Sequence, residues 1–162
     1  MSSQFRRINF ILFIITAIIL GFSYYVEFGL GYSPCLLCVI QRFIFFVLAF
    51  IFLLASLHKH NRASQIIYCF FSLIVLVLGI LAASRQIWIQ HLPMSTATSC
   101  LPSAMYLFKN FPIKEIISIT YSGTAECSIV HWRFLGITMA EWALLWYVVF
   151  LIVVLWQWFK KK

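Results

Sequence analysis

Cys35 and Cys38, followed by Arg42 one turn later, are the residues of this chain best placed to do chemistry. A helix returns to one face after three, four or seven residues. The i, i+3, i+7 spacing therefore sets two thiols and a permanent cation on a single stripe. Pro34 suits the first turn of a helix, where its missing N–H costs nothing. Both cysteines then fall where unpaired backbone N–H groups, the helix dipole and Cys-x-x-Cys spacing favour the thiolate, the reactive form of cysteine. The residues beyond them are almost wholly apolar, so the pair sits at the water-facing end of a membrane helix. This reads as a redox pair at a membrane surface. Zinc is the rival use of the same side chains, with Cys100 and Cys127 completing four thiolates. A second Cys-x-x-Cys or a close histidine would be usual for zinc; Cys100 and Cys127 instead stand 27 positions apart, which favours redox.

Cys100 and Cys127 form the second pair. Spacing alone does not choose between a structural staple, contributing on the order of 3–4 kcal/mol by loop closure, and a second redox couple. Its placement near a reactive Cys-x-x-Cys favours thiol–disulfide exchange. Arg42 is a charge the membrane tolerates only if it pairs, snorkels or meets a ligand. Its functional reading is a guanidinium beside Cys38 that hydrogen-bonds a polar headgroup and steadies negative charge on it. Histidine is the side chain suited to carrying protons, so His91 is either a proton carrier or an interface histidine satisfied by backbone. Trp132, Trp142 and Glu141 read as anchors of the last span, Cys69 as a buried inert thiol, and His58 and His60 as solvated loop residues.

The elements that must position these groups are membrane spans. The 162 residues are 64% hydrophobic and 19% aromatic, with twelve Lys and Arg against four Asp and Glu; average usage is nearer 45–50% apolar. Apolar runs at about 10–26, 39–57, 66–83 and 143–159 each approach the ~20 residues a bilayer requires. The first is too long for a signal-peptide core and lacks a small-x-small cleavage site. Glu27 to Ser33 reads as a brief outward turn. The only long extramembrane stretch is an outward loop at about 84–142, whose first residues, Arg85 to His91, extend the third helix. Between Ser103 and Tyr121 the loop alternates apolar with charged residues, as a short interfacial helix does. The expected fold is an all-α membrane protein: a single four-transmembrane-helix bundle with one outward working face.

Arg6, Arg7, Lys59, Arg62, Lys160, Lys161 and Lys162 fall on one side of such a bundle, while Glu27, Glu115, Glu126 and Glu141 fall on the other. That asymmetry is the positive-inside pattern and places both termini in the cytoplasm. The net charge of +8 is thus a topology signal, not a nucleic-acid footprint. Cys35, Cys38, Cys100 and Cys127 all map to the outward, oxidising side. Electrons entering an outward disulfide and passing to the pair at the bilayer surface need an acceptor. No haem, Fe–S, Rossmann or flavin signature is present, which leaves a lipid-soluble quinone.

On these residues the chain resembles the bacterial disulfide-bond formation protein B (DsbB) family. The resemblance is carried by Pro34-Cys35-Leu36-Leu37-Cys38 with Arg42, by Arg85-Gln86-Ile87-Trp88-Ile89-Gln90-His91, by Cys100-Leu101-Pro102, and by Cys127 followed by Trp132-Arg133-Phe134-Leu135-Gly136 and Trp142. Vitamin K epoxide reductases are similar in kind, but their Cys-x-x-Cys comes late in the bundle, whereas here it opens the second span. The DsbB resemblance implies a bacterial inner-membrane enzyme that reoxidises a soluble DsbA-type thiol oxidase in the periplasm. It implies that Cys100 is attacked by that partner, that Cys127 passes the oxidising deficit to Cys35, and that Cys38 acts on ubiquinone or menaquinone. Arg42, and less directly His91, would belong to the quinone site. The alternative from another class is a non-enzymatic membrane assembly factor whose four cysteines hold zinc.

Overall fold

The structure, a computed structural model, describes residues 2–31, 35–58, 62–91, 112 and 133–160. Among the described residues, α1 (Ser2–Leu30), α2 (Leu36–Leu57), α3 (Arg62–Gln90) and α4 (Met139–Phe159) are each long and apolar enough to cross a membrane. The all-α membrane bundle expected from the hydropathy pattern is what forms.

Each helix extends beyond its apolar run. α1 has 29 residues, roughly 44 Å at 1.5 Å per residue, against a hydrocarbon core of about 30 Å. The residues ahead of the first apolar run, Arg6 and Arg7 among them, are therefore helical. Asn9 is buried and donates to Phe5 O at 2.9 Å, and Arg6 Nε donates to Ser56 O at 2.9 Å. The Glu27–Ser33 turn is likewise shorter than expected, because α1 continues to Leu30. It ends against Gly31, whose φ of 72° is the left-handed conformation that commonly closes a helix.

α1 packs on α2, α2 on α3 and α3 on α4. Asn9 Nδ2 to Gln157 Oε1 (3.4 Å) and Lys160 Nζ to Gln4 Oε1 (3.3 Å) tie α4 back to α1. The side chains are distributed for lipid, not water. Phe43, Phe46 and Phe50 form an exposed stripe on α2, while Asn9, Thr16, Gln41, Ser72, Gln86 and Gln157 are buried inside. A bilayer cannot satisfy polar groups, so they turn toward the other helices.

The core centres on Leu48, Phe52, Leu76, Tyr147 and Phe150, all fully buried. Phe52 meets Phe150 edge to face at 5.8 Å, and Phe45 stacks on Tyr147 at 4.3 Å. The Tyr147 ring occupies the space where a side chain at Gly79 would lie: a Cβ there would come within 2.7 Å of it. Glycine thus sets the approach of α3 to α4.

Just before α4, Arg133–Phe134 (β1) and Ile137–Thr138 (β2) pair antiparallel. Leu135 (φ 55°) and Gly136 (φ 81°) supply the two left-handed residues of a two-residue hairpin turn. This hairpin was not expected within the outward loop. Cys100, Cys127, Trp132, His60 and the expected interfacial helix at 103–121 lie outside the described residues.

Candidate functional site: a thiol pair at the head of the second helix

Cys35 is the N-cap of α2 (φ −70°, ψ 164°) and no side chain caps the helix there. Its carbonyl accepts from Val39 N at 3.1 Å. Cys38 is therefore the third helical residue, and both sulfurs lie within the first turn, at the positive end of the helix dipole. Leu36 is the first helical residue, and Pro34 lies outside the described residues. The two sulfurs lie 2.9 Å apart. Cys35 is buried beside Leu37 and Ile89, and Cys38 packs half-exposed against that small cluster.

α3 supplies the polar partner of the pair. The Gln86 carboxamide is buried and donates through Nε2 to Cys38 Sγ at 3.1 Å and to Cys35 Sγ at 3.6 Å. Its Oε1 accepts from Gln41 Nε2 at 2.8 Å. Behind Gln41, the Tyr147 hydroxyl of α4 donates to the Gln41 carbonyl at 3.0 Å. Three helices thus converge on two sulfurs.

Arg42 takes its partners from the opposite neighbour. Nε donates to Ser23 Oγ at 2.6 Å, one terminal nitrogen donates to Ser23 O at 3.1 Å, and the other forms an ion pair with Glu27. The guanidinium also lies over the Tyr24 ring, 5.2 Å from its centroid. Arg42 is therefore paired within the protein, which answers the cost of its charge differently from the snorkelling considered for it. The structure puts the thiols with α3 and the guanidinium with α1. Two of the five guanidinium N–H groups carry no hydrogen bond to a described residue.

His91 stands just past the end of α3, exposed, with Nδ1 2.8 Å from Ile87 O. This is the backbone partner of an interface histidine; its contacts do not reach the thiols. The neighbouring Gln90 has a buried Oε1 with no partner among the described residues. Cys69 is buried in the main core on α3. Glu141 closes a capping box at the start of α4: Thr138 N donates to Glu141 Oε2 at 2.7 Å, and Glu141 N donates to Thr138 Oγ1 at 3.3 Å. That fits its reading as an anchor.

Sequence reasoning missed Gln86, Gln41, Ser23 and Glu27. A signal for Glu27 existed, since a lone acid and a lone base stand on either side of the turn that joins α1 to α2. For Gln86 the signal was a glutamine inside an apolar span, where polar groups face other helices.

A dithiol at the mouth of a four-helix membrane bundle defines a membrane-embedded thiol oxidoreductase. The comparisons with known proteins agree. Residues 5–157 match the family described as Disulfide bond formation protein DsbB. Proteins named Disulfide bond formation protein B are similar along nearly their whole length. That of Hahella chejuensis is 32% identical over 96% of this chain and 94% of its own. That of Stutzerimonas stutzeri is 33% identical over 96% of each, and that of Xanthomonas axonopodis pv. citri is 35% identical over 96% of this chain and 92% of its own. The chain belongs to the disulfide bond formation protein B family, and it is a disulfide-forming membrane oxidoreductase.

Proposed function

We propose that this enzyme takes electrons from a soluble DsbA-type thiol oxidase and delivers them to a membrane quinone. Cys100 and Cys127 form the pair that meets the partner, and Cys35 and Cys38 form the pair that meets the bilayer. Attack by a partner thiolate on Cys100 makes a mixed disulfide and releases Cys127 as thiolate. Cys127 then attacks Cys35, releasing Cys38 and leaving an inter-pair disulfide. The partner's second thiolate then attacks its own sulfur in the mixed disulfide, so the partner leaves with its disulfide formed and Cys100 is released as thiolate. When Cys100 attacks Cys127 in the inter-pair disulfide, the outer bond is restored and Cys35 leaves, so both inner sulfurs are reduced. Two electrons and two protons must then depart to regenerate the Cys35–Cys38 disulfide.

The observation that carries this reading is the geometry of the inner pair: two sulfurs in mutual contact, at a helix N-terminus, beside an amide that donates to both. The residues present also fit a quinone. Cys38 and Arg42 lie one turn apart, each partly exposed, and two guanidinium N–H groups that bond no described residue would suit a carbonyl oxygen. Cys38 and Arg42 would hold the ring, with His91 nearby at the end of α3. A bound ubiquinone or menaquinone supplies a lipid-soluble acceptor for two electrons and two protons. Seven basic residues (Arg6, Arg7, Lys59, Arg62 and Lys160 to Lys162) gathered on one side of the bundle support cytoplasmic termini, and hence thiols at the periplasmic face of the inner membrane.

Purified protein, mixed with quinone and reduced thiol oxidase and quenched with an alkylating tag, tests the relay. Cys38→Ser should abolish quinone reduction. Cys100→Ser should abolish exchange with the soluble partner while leaving quinone bound. Turnover by both variants would refute the relay, and one tightly held zinc per chain would favour the four-thiolate assembly factor instead.

A further inference from the structure

We infer that Gln86 is a catalytic residue that sets the redox poise of the Cys35–Cys38 pair by donating hydrogen bonds to its reduced, charged form. The inference rests on the reading of these cysteines as a redox couple.

Gln86 is 3% exposed, in a protein whose surroundings are hydrocarbon. An amide there needs strong partners, because an unsatisfied polar group in an apolar medium is costly. Its oxygen has one in Gln41 Nε2 at 2.8 Å. Its nitrogen faces Cys38 Sγ at 3.1 Å and Cys35 Sγ at 3.6 Å. Neutral thiols are weak acceptors, whereas a hydrogen bond to a charged group is about twice as strong as one between neutral groups. The Gln86 donors are therefore well matched only when a sulfur carries negative charge.

That asymmetry acts on the couple. Reduction of the disulfide adds two electrons and breaks the S–S bond. Each sulfur takes up a proton or remains a thiolate, and Gln86 stabilises the thiolate. The disulfide opposite it is consequently the stronger oxidant, which suits a pair that must draw electrons from Cys127. Gln41 orients the amide: with its own Nε2 on the Gln86 oxygen, the Gln86 nitrogen is left for sulfur. Gln41 is a positioning residue, and its backbone is held in turn by Tyr147.

The test equilibrates detergent-purified full-length protein with glutathione buffers of graded potential. The Cys35–Cys38 state is then read by alkylation and peptide mass spectrometry. Gln86→Leu should shift the equilibrium about tenfold toward the disulfide, which is about 30 mV for a two-electron couple. Gln86→Glu keeps the shape but presents no N–H and adds negative charge, so it should shift the equilibrium at least as far. It also carries the test should the leucine variant not fold. Gln41→Leu should give a smaller shift of the same sign. A purely structural role would lower stability and leave the equilibrium constant unchanged. Folded Gln86 variants within twofold of the parent protein would overturn the inference. Failure of the parent protein to oxidise reversibly at Cys35 and Cys38 would overturn the redox reading itself.

Discussion

The Arg42–Glu27 pair allows a prediction worked from geometry alone. The two side chains are 15% and 22% exposed, so water screens them little, and they join α2 to α1 close to the thiols. Removing one member of a buried pair typically costs 3–5 kcal/mol, because a charge is left uncompensated. Here the partial exposure and the two bonds from Arg42 to Ser23 reduce that penalty. Glu27→Ala should cost about 2 kcal/mol. Glu27→Gln keeps an acceptor and loses only the charge, and should cost about 1 kcal/mol, the difference between a charged and a neutral hydrogen bond. Arg42→Ala removes the bonds to Ser23 as well. The double variant should nevertheless cost less than the two single variants together, by about 1–2 kcal/mol, since neither then strands a charge. Reversible unfolding in mixed detergent micelles measures all four corners of the cycle. A coupling below about 0.5 kcal/mol, the level at which independent sites add, would show that the ion pair does not hold α1 to α2.

Two further outcomes follow from the packing. Gly79→Ala puts a methyl group against a Tyr147 ring already stacked on Phe45, so it should cost about 1–3 kcal/mol of unfolding free energy by overpacking; Tyr147→Leu should cost measurably less in combination with it than alone. Thr138→Ala opens the capping box and should lower stability by about 1 kcal/mol, read as a lower unfolding midpoint with thiol exchange at Cys35 and Cys38 unchanged.

The hydropathy pattern made the bundle legible because lipid imposes one rule on every span, and that rule needs only composition and length. It also located Cys35 and Cys38, since their spacing and the start of the apolar run are both local. What stayed hidden depends on which helix faces which. The ends of α1 could not be read from apolar content, because Arg6, Asn9 and Glu27 are polar residues kept helical by partners on α2 and α4. The stripe expected for Cys35, Cys38 and Arg42 follows from helical periodicity alone, which is silent about neighbours: α1 claims the guanidinium while α3 claims the sulfurs, and Cys35 is extended rather than helical. The Thr138-Met139-Ala140-Glu141 cap is legible in the sequence as Thr-x-x-Glu, because both partners of the capping box are local. Leu135 was not legible as a turn residue, since a bulky side chain at positive φ runs against its own preference.

The division of partners across α2 has a chemical consequence. A guanidinium bonded directly to the thiolate would steady the reduced pair, but it would also hold the sulfur away from any acceptor approaching from the bilayer. With Gln86 serving the sulfurs from α3 and Glu27 balancing Arg42 from α1, the side of Cys38 toward Arg42 need not be occupied by either. An amide is the better choice on the buried side, because it supplies donors without adding a net charge that hydrocarbon would penalise. The ion pair is the better choice on the other side, because a neutralised arginine presents little charge to the membrane while two of its N–H groups bond no described residue. Tyr147 then links the arrangement to the α3–α4 contact: its ring fills the space Gly79 leaves, and its hydroxyl holds the α2 backbone at Gln41. A change in packing a turn or two below the thiols should therefore move Gln41, and through it the amide that faces them.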